Sequence, residues 1–253
     1  MFSQPGSGVR FEWGLAGAAE LSRVCAVLVV VDVLSFTTAV TVAVERGIRV
    51  HPFPWTDQAE EYAQRIGAVV ATGRSSISAD RPWSLSPASL RRARPVTDLV
   101  LPSPNGSTIC AAAEAGGVLV VAGCLRNAAA VAKQLRTHGY GTIDAPIGVV
   151  AAGERWPDGT LRPCVEDLLG AAAILDGLTG CDLSVEAATA LASLDSVPDV
   201  AAAVRGSVSG RELIDYGFAL DVEIAVARDA SIEVPTLRSG AFTGNAGLMA
   251  PER

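Results

Sequence analysis

The chain has 253 residues, of which 49% are hydrophobic and 19% charged, and its formal net charge is -7. A chain of this length can bury a large apolar core without disulfides or structural metals, as one large α/β domain or two small ones. The negative charge excludes a general nucleic-acid binder, which needs a concentrated basic face to neutralise phosphates.

The first predicted element is an apolar, Val-rich run at residues 24–31, which ends at the carboxylate of Asp32. Such a run is typical of a strand covered on both faces, so an ionised aspartate fits only at its carboxyl end. A helix is predicted to begin near Ser35, and its first amide groups, with the hydroxyls of Thr37 and Thr38, can then face an anion. The segment indicates either a metal and phosphate site or a helix cap formed by Asp32. A membrane span is excluded because Asp32 interrupts the apolar run.

The remaining predicted elements alternate between strands and helices. Strand-like runs recur at 48–51, 68–72, 98–101, 118–122 and 147–151. Helical spacing occurs at 57–65, 107–115, 127–137, 165–178, 185–194, 209–216 and 218–227, followed by an irregular Gly-rich tail. This alternation predicts a three-layer α/β/α fold around a central sheet that is largely parallel or mixed. No break in composition marks a boundary, so residues 1–253 are predicted to form a single domain.

One long segment, residues 73–96, departs from this alternation and is rich in arginine and proline. A loop of this length inside a compact domain is usually a lid, a binding loop or a disordered segment. The sequence leaves open whether it covers a site or is a solvated insertion.

Two further strand ends carry polar side chains that can bind an anion. The first is followed by Asn105, Gly106, Ser107 and Thr108, which open an Ala-rich helix and can direct amide and hydroxyl donors at a phosphate. Residues 123–127 repeat the arrangement after the next strand, with Arg126 and Asn127 at another predicted helix start.

The fourth junction supplies carboxylates. Glu154 follows the run at 147–151, and Glu166 with Asp167 opens the next helix. Together with Asp32 they offer enough oxygen ligands for Mg²⁺, which takes a few carboxylates, keeps several waters and bridges to phosphate. Taken alone, Glu166 and Asp167 are slightly better explained as acids that stabilise a helix dipole, and it is the four polar junctions together that favour a site.

Several other phosphate-handling devices are excluded by inspection. The chain has no Gly-x-x-x-x-Gly-Lys loop, no Cys followed six positions later by Arg, and a Leu34 where an aspartyl-phosphate enzyme carries its second Asp. Neither His51 nor His138 has metal-ligand spacing or a neighbouring candidate serine nucleophile.

The five cysteines are scattered and odd in number, which favours a reduced, cytoplasmic protein. The first nine residues lack the pattern of a secretion signal.

The ordered motifs resemble the 2-phosphosulfolactate phosphatase family. They are Asp32-Val-Leu-Ser-Phe-Thr-Thr, Ser103-Pro-Asn-Gly-Ser-Thr, Leu125-Arg-Asn-Ala, Ala152-Gly-Glu, Val165-Glu-Asp-Leu, and Gly210-Arg-Glu-Leu-Ile-Asp-Tyr-Gly-Phe with Asp221. The resemblance implies a Mg²⁺-dependent acid phosphatase of layered α/β fold, which converts 2-phosphosulfolactate to sulfolactate and phosphate in coenzyme M biosynthesis.

This chain departs from the family pattern at three places. Members of the family commonly have Arg where this chain has Ser35, and a Cys near Ala151. A Gly-Glu-Arg motif is reduced to Gly73-Arg74, and residues 84–87 only loosely match the pattern that follows it. Because an Arg fork binds a sulfonate or phosphate better than a serine does, these departures bear on the substrate more than on the reaction.

The sequence therefore predicts hydrolysis of a small anionic phosphorylated organic acid with Mg²⁺. Asp32 and Glu154, with Glu166 or Asp167, would hold the ion, Arg126 would neutralise developing charge, and a metal-activated water would be the nucleophile. Ser35, Thr37, Thr38, Asn127 and residues 105–108 would bind the phosphate. The predicted partners exclude nucleic acid and membrane, and a homodimer is left open.

Two alternatives remain at this point. A catalytically altered homologue could bind an anionic metabolite or act on a different phosphomonoester, with the eroded 73–96 segment as its trace. A dinucleotide-dependent oxidoreductase is disfavoured because no strand is followed by a Gly-x-Gly-x-x-Gly turn.

Overall fold

The computed structural model describes residues 2–244. Its strands are β1 (Val9–Trp13), β2 (Val27–Val31), β3 (Arg49–Pro54), β4 (Val69–Val70), β5 (Asp98–Ser103), β6 (Leu119–Gly123), β7 (Ile147–Ala151), β8 (Glu154–Arg155), β9 (Leu161–Arg162), β10 (Thr236–Arg238) and β11 (Ala241–Thr243). Its α-helices are α1 (Gly14–Leu21), α2 (Phe36–Glu45), α3 (Ala59–Ile66), α4 (Pro87–Arg92), α5 (Gly106–Ala115), α6 (Ala128–Thr137), α7 (Val165–Asp176), α8 (Val185–Ala192), α9 (Val200–Gly206), α10 (Val208–Asp215) and α11 (Ala219–Ala225).

The central sheet is covered by helices on both faces. Along β2, the side chains of Val27, Val29 and Val31 belong to one apolar cluster, whereas Leu28 and Val30 belong to another on the opposite face. Helices α6, α7 and α8 pack on the first face, and α1, α2 and α5 on the second. This arrangement explains why β2 has no polar residue, since a strand buried on both faces must be apolar throughout. The predicted three-layer α/β/α fold is confirmed.

The sheet is mixed, and its two parallel halves run in opposite directions. The strand order is β1-β7-β2-β6-β10-β11-β3-β5-β4. Strands β1, β7, β2 and β6 are parallel to one another, as are β3, β5 and β4. The hairpin of β10 and β11 pairs antiparallel with β6 on one side and with β3 on the other, which reverses the direction between the halves.

The sheet is also strongly curved. Five strand spacings separate β2 from β5, which in a flat sheet would place them roughly 24 Å apart. Yet the amide of Gly106, just after β5, donates a hydrogen bond of 2.9 Å to Asp32, just after β2. The sheet therefore bends until the carboxyl ends of its two halves meet, and the candidate site lies at that meeting point.

The hairpin that joins the two halves comes from the segment that the sequence predicts to be an irregular tail. Each strand is only three residues long, too short to show clear alternation. Strands β1, β8 and β9 and helices α1 and α9 were likewise not predicted. The six apolar runs that were predicted as strands all correspond to strands of the sheet.

The segment 73–96, predicted to be a loop, is folded. It contains a 3-10 turn at Arg74–Ser76 and the helix α4, whose first turn is capped by the hydroxyl of Ser86. Trp83 and Leu90 are buried, and the indole of Trp83 donates to the carbonyl of Arg94. Within the described residues, no helix has both the length and the hydropathy needed to cross a bilayer.

Candidate active site

A cavity of about 340 Å³ lies where the loops after β2, β5 and β7 meet the first turn of α7. Six of the side chains that the sequence singled out line this one cavity: Asp32, Ser35, Asn105, Glu154, Glu166 and Asp167. Residues that are far apart in the chain are thus brought together by the curvature of the sheet.

Asp32 joins the first turns of two helices. Its Oδ1 accepts a hydrogen bond of 3.1 Å from the amide of Phe36, which begins α2, and its Oδ2 accepts one of 2.9 Å from the amide of Gly106, which begins α5. A Cβ on residue 106 would lie 2.6 Å from this Oδ2, so only glycine permits the approach. Burial raises the pKa of Asp32 to about 6, against the two amide bonds that lower it.

Asp167 plays a similar part between two other loops. Its Oδ1 accepts from the amide of Val33 and its Oδ2 from the amide of Gly153, both at 2.8 Å. Burial raises its pKa well above the usual range, and repulsion from Asp32 and Glu166 adds to this. A cation in the cavity would relieve that repulsion.

Glu166 and Glu154 differ from these two aspartates in their partners. Glu166 is buried and lines the cavity, and no described residue forms a hydrogen bond or ion pair with its carboxylate. Glu154 lies on β8, exposed at the rim, where its Oε1 accepts from the Nδ2 of Asn105 at 2.8 Å and from the amide of Arg155 at 2.9 Å. Glu166 is thus the buried carboxylate that remains available to a ligand.

Arg74 provides a positive charge at the cavity wall, a position that the sequence analysis did not assign to it. Its Nη2 donates to the hydroxyl of Ser35 at 2.5 Å, and its Nε donates to the carboxylate of the buried Asp221 at 3.2 Å. The guanidinium also lies 5.7 Å from the ring of Phe218. The retained Gly73-Arg74 pair was the only signal of this position in the sequence.

The arrangement of carboxylates, amide groups and one arginine around a small cavity suits the handling of a phosphate ester. A family model described as 2-phosphosulpholactate phosphatase matches residues 16–240. The chain belongs to this family. It is similar to the 2-phosphosulfolactate phosphatase of Methanothermobacter thermautotrophicus, with 28% identity over 212 residues, which cover 84% of this chain and 87% of the relative.

Membership in the 2-phosphosulpholactate phosphatase family confirms the resemblance inferred from the sequence motifs. It also makes the protein a phosphoric monoester hydrolase. The ordered motifs that carried the resemblance include Asp32, Asn105, Glu154 and Glu166, and these are the residues that converge in the cavity.

The family's motif at residues 125–128 does not contribute side chains to the cavity. Arg126 is buried elsewhere, where its guanidinium donates to the carboxylate of Glu45 at 2.8 Å and to the carbonyl of Ile224. Asn127 caps its own turn, with its Oδ1 accepting from the amide of Cys124 at 2.9 Å. We therefore assign to both a structural role, in place of the predicted charge neutralisation and phosphate binding.

Four other predicted phosphate ligands are occupied or displaced. The hydroxyls of Thr37 and Thr38 donate to backbone carbonyls in the loop after β2, and that of Ser107 lies 2.6 Å from the carbonyls of both Phe53 and Ser103, to either of which it can donate. Thr108 lines a neighbouring groove. These hydroxyls brace the loops, whereas Gly106 acts through the amide that it donates to Asp32.

The oxygen ligands of the cavity fit a Mg²⁺ ion that keeps several waters more closely than a metal ion held by protein side chains alone. Among the described residues, no three Asp, Glu, His or Cys side chains are close enough together to hold one ion directly. Mg²⁺ is usually bound through one or two carboxylates and keeps several waters, and four carboxylates line this cavity. Each oxygen of Asp32 and Asp167 that accepts one amide still has a free lone pair.

Cys164 is the one thiol that lines this cavity. Burial raises its pKa, and repulsion from Glu166 and Asp167 raises it further. Since the thiolate is the nucleophilic form, the cavity disfavours covalent chemistry at this cysteine.

Proposed function

We propose that the protein hydrolyses 2-phosphosulfolactate to 3-sulfolactate and phosphate and that it requires Mg²⁺. The observation that carries this proposal is the convergence of four carboxylates, Asn105 and Arg74 on one cavity. The family description and the name of the relative from Methanothermobacter thermautotrophicus support the substrate.

The carboxylates of the cavity are the candidates to hold the ion. Glu166 is buried and has no hydrogen-bond or ion-pair partner among the described residues, and Asp32, Glu154 and Asp167 face the same space. When bound, Mg²⁺ would offset the charge of these carboxylates and of the phosphoryl group and would orient the two toward each other. A dianionic phosphate could not otherwise approach so many negative groups.

Arg74 is proposed to neutralise the charge that develops on the phosphoryl oxygens. Its guanidinium is held by Asp221 on one side and reaches Ser35 at the cavity wall on the other. A fixed cation in a partly buried site stabilises a transition state without reorganising during the reaction. Arg74 thereby takes the part that the sequence analysis gave to Arg126.

Hydrolysis also requires that a proton leave the attacking water. In the proposed step, the water oxygen bonds to phosphorus, the phosphorus–oxygen ester bond breaks, and the released alkoxide takes a proton from solvent. Glu154 is the carboxylate placed to receive the proton of the water, because it is exposed at the rim and is oriented by Asn105.

The test is phosphate release from synthetic 2-phosphosulfolactate by the purified protein, with Mg²⁺ and after chelation. We expect release that stops on chelation and is abolished in Asp32→Asn, whose circular dichroism spectrum should match that of wild type. Asp144→Asn, at an exposed position, is the matched control and should keep full activity. Retained turnover in Asp32→Asn would remove Asp32 from the mechanism, and no release by wild type from any phosphomonoester would contradict the proposal.

A second candidate function is binding of an anionic metabolite without turnover. It is favoured by the backbone amide that each carboxylate oxygen of Asp32 and of Asp167 already accepts, because each oxygen then keeps only one lone pair for a metal ion. A binder would show thermal stabilisation by 2-phosphosulfolactate with no phosphate released.

We further propose that the reaction serves coenzyme M biosynthesis in the cytoplasm. The five cysteines lie in the described part of the chain and form no disulfide there, which is typical of proteins in a reducing compartment.

A further inference from the structure

A second compartment adjoins the acidic cavity. It has a volume of about 680 Å³ and shares the side chains of Leu34, Arg74, Glu154 and Ser209 with the cavity. Its remaining wall is formed by Ser75, Arg162, the rings of Tyr216 and Phe218, and residues of α10. A ligand with one end in the cavity can therefore extend into this compartment without leaving the protein surface.

Arg162 reaches this compartment from the β8–β9 hairpin. It is the register partner of Glu154, so both side chains lie on the same face of the hairpin. No ion pair joins them, since Glu154 is engaged by Asn105 instead. The hairpin thus presents one carboxylate to the cavity and one guanidinium to the neighbouring compartment.

Within residues 2–244, no carboxylate forms an ion pair with Arg162 to compensate its charge. Its Nη2 donates to the neutral hydroxyl of Ser209 at 2.9 Å, its guanidinium lies 5.8 Å from the ring of Trp156, and no described residue forms an ion pair with it. Arg74 and Arg126, by contrast, each have a carboxylate partner. A guanidinium with unused donors beside a compartment of this size is suited to an anionic ligand.

We propose that Arg162 binds the second anionic group of the substrate, a carboxylate or sulfonate carried by the alcohol part of the phosphate ester. This inference rests on the proposed phosphatase function, and it makes Arg162 a specificity-determining residue. The phosphate end is directed to the acidic cavity, where Mg²⁺ would offset the carboxylates, and the organic anion is directed to Arg162. Because Glu154 and Glu212 also line the compartment, discrimination comes from contact with Arg162 and not from a general positive field.

The test compares substrates that differ only in their second anionic group. Isopropyl phosphate has none, 2-phospholactate has the carboxylate, 1-sulfopropan-2-yl phosphate has the sulfonate, and 2-phosphosulfolactate has both. In Arg162→Gln, we expect the kcat/KM for 2-phosphosulfolactate relative to that for isopropyl phosphate to fall about tenfold to one-hundredfold, the range for a lost charge-assisted hydrogen bond. This fall in relative kcat/KM should be absent for the substrate that lacks the group bound by Arg162.

The control is Arg155→Gln. Arg155 lies on the same hairpin, but its neighbour Glu154 faces the cavity, so its side chain lies on the opposite face. In Arg155→Gln, the kcat/KM for 2-phosphosulfolactate relative to that for isopropyl phosphate should equal the wild-type ratio. The assignment would be overturned if this ratio in Arg162→Gln stayed within twofold of wild type. It would also be overturned if the substitution lowered kcat/KM equally for all four phosphates.

A binding measurement separates this inference from the proposed function. Calorimetric titration of 3-sulfolactate into wild type and Arg162→Gln does not depend on turnover, and we expect the Kd to rise at least tenfold in the variant. An unchanged Kd overturns the role of Arg162, whereas a raised Kd in a protein that releases no phosphate supports it and contradicts only the phosphatase proposal.

Discussion

At the scale of single residues, the carboxylates of the cavity divide into two kinds. Asp32 and Asp167 each accept two backbone amides and hold loops together, whereas Glu166 and Glu154 face the space where a ligand would lie. The two interpretations that the sequence left open for Asp32, cap or site residue, are not exclusive. Its two oxygens cap two helices while the same carboxylate lines the cavity.

Arg74 is the residue whose removal should affect chemistry most directly. Arg74→Gln is expected to lower kcat about one-hundredfold to one-thousandfold, the usual loss when one fixed group that stabilises a transition state is removed. Arg74→Lys should restore little, because an ammonium cannot donate to Asp221 and reach Ser35 together.

The measurement is steady-state phosphate release with Mg²⁺ present. Arg91→Gln, at an exposed position in α4, serves as the control in the same segment and should match wild type. A kcat for Arg74→Gln within threefold of wild type would show that Arg74 does not act on the phosphoryl group.

At the scale of elements, the pairing of β3 with β5 has an electrostatic component. Asp98 begins β5 opposite Arg49 of β3, and its carboxylate accepts hydrogen bonds from Arg49 at 2.7 Å and from His51 at 2.8 Å. Burial opposes ionisation, but these partners prevail and lower the pKa of Asp98. A carboxyl with a lowered pKa stabilises the fold above its unfolded pKa and loses this contribution as pH falls through its folded pKa.

Asp98→Asn should therefore destabilise the protein by about 1 kcal/mol at neutral pH. The difference in free energy of unfolding between variant and wild type should begin to shrink as pH falls below about 4, the usual pKa of an aspartate in an unfolded chain, and should shrink further until pH falls below the lowered pKa of the folded carboxyl. Urea unfolding at several pH values checks this. Asp195→Asn, at an exposed position in a turn, is the comparison, and a pH-independent difference for Asp98→Asn would contradict the electrostatic account.

The elements themselves show which part of the fold the sequence could predict. Apolar runs such as 147–151 are visible because they contain no polar residue, and helices such as 165–178 are visible because their periodicity extends over many residues. The segment 73–96 was taken for a loop because its proline and arginine content masks a six-residue helix. The β10–β11 hairpin was missed because three-residue strands carry almost no pattern.

At the scale of the whole molecule, the site depends on the curvature of the sheet. Local patterns could nominate Asp32, Asn105 and Glu154, because each follows a strand end. They could not show that β2 and β5 belong to halves of opposite direction, or that Arg126 points away while Arg74 points in. Those facts follow from long-range pairing through β10 and β11, which no local window contains.

Phe242 on β11 tests this dependence. Its side chain is fully buried and packs against the ring of Phe36, the first residue of α2, with ring centres 6.4 Å apart. Phe242→Ala should lower the free energy of unfolding by about 3–5 kcal/mol. Activity should fall as well, since α2 begins at an amide bound to Asp32.

Chemical denaturation and phosphate release on the same preparations measure both effects. Phe2→Ala, at a site where the side chain is 79% exposed, is the comparison and should change neither quantity. A stable but inactive Phe242→Ala, or an unstable but fully active one below its unfolding transition, would break the proposed link between the hairpin and the site.

The position of that hairpin in the chain has a consequence for biosynthesis. Every residue that lines the cavity precedes the hairpin, yet among the described strands it is residues 236–243 that join the two halves of the sheet. A nascent chain can therefore carry all of its acidic side chains outside the ribosome and still lack an assembled active centre. Enzyme activity should begin only after this hairpin has emerged from the exit tunnel and inserted into the sheet.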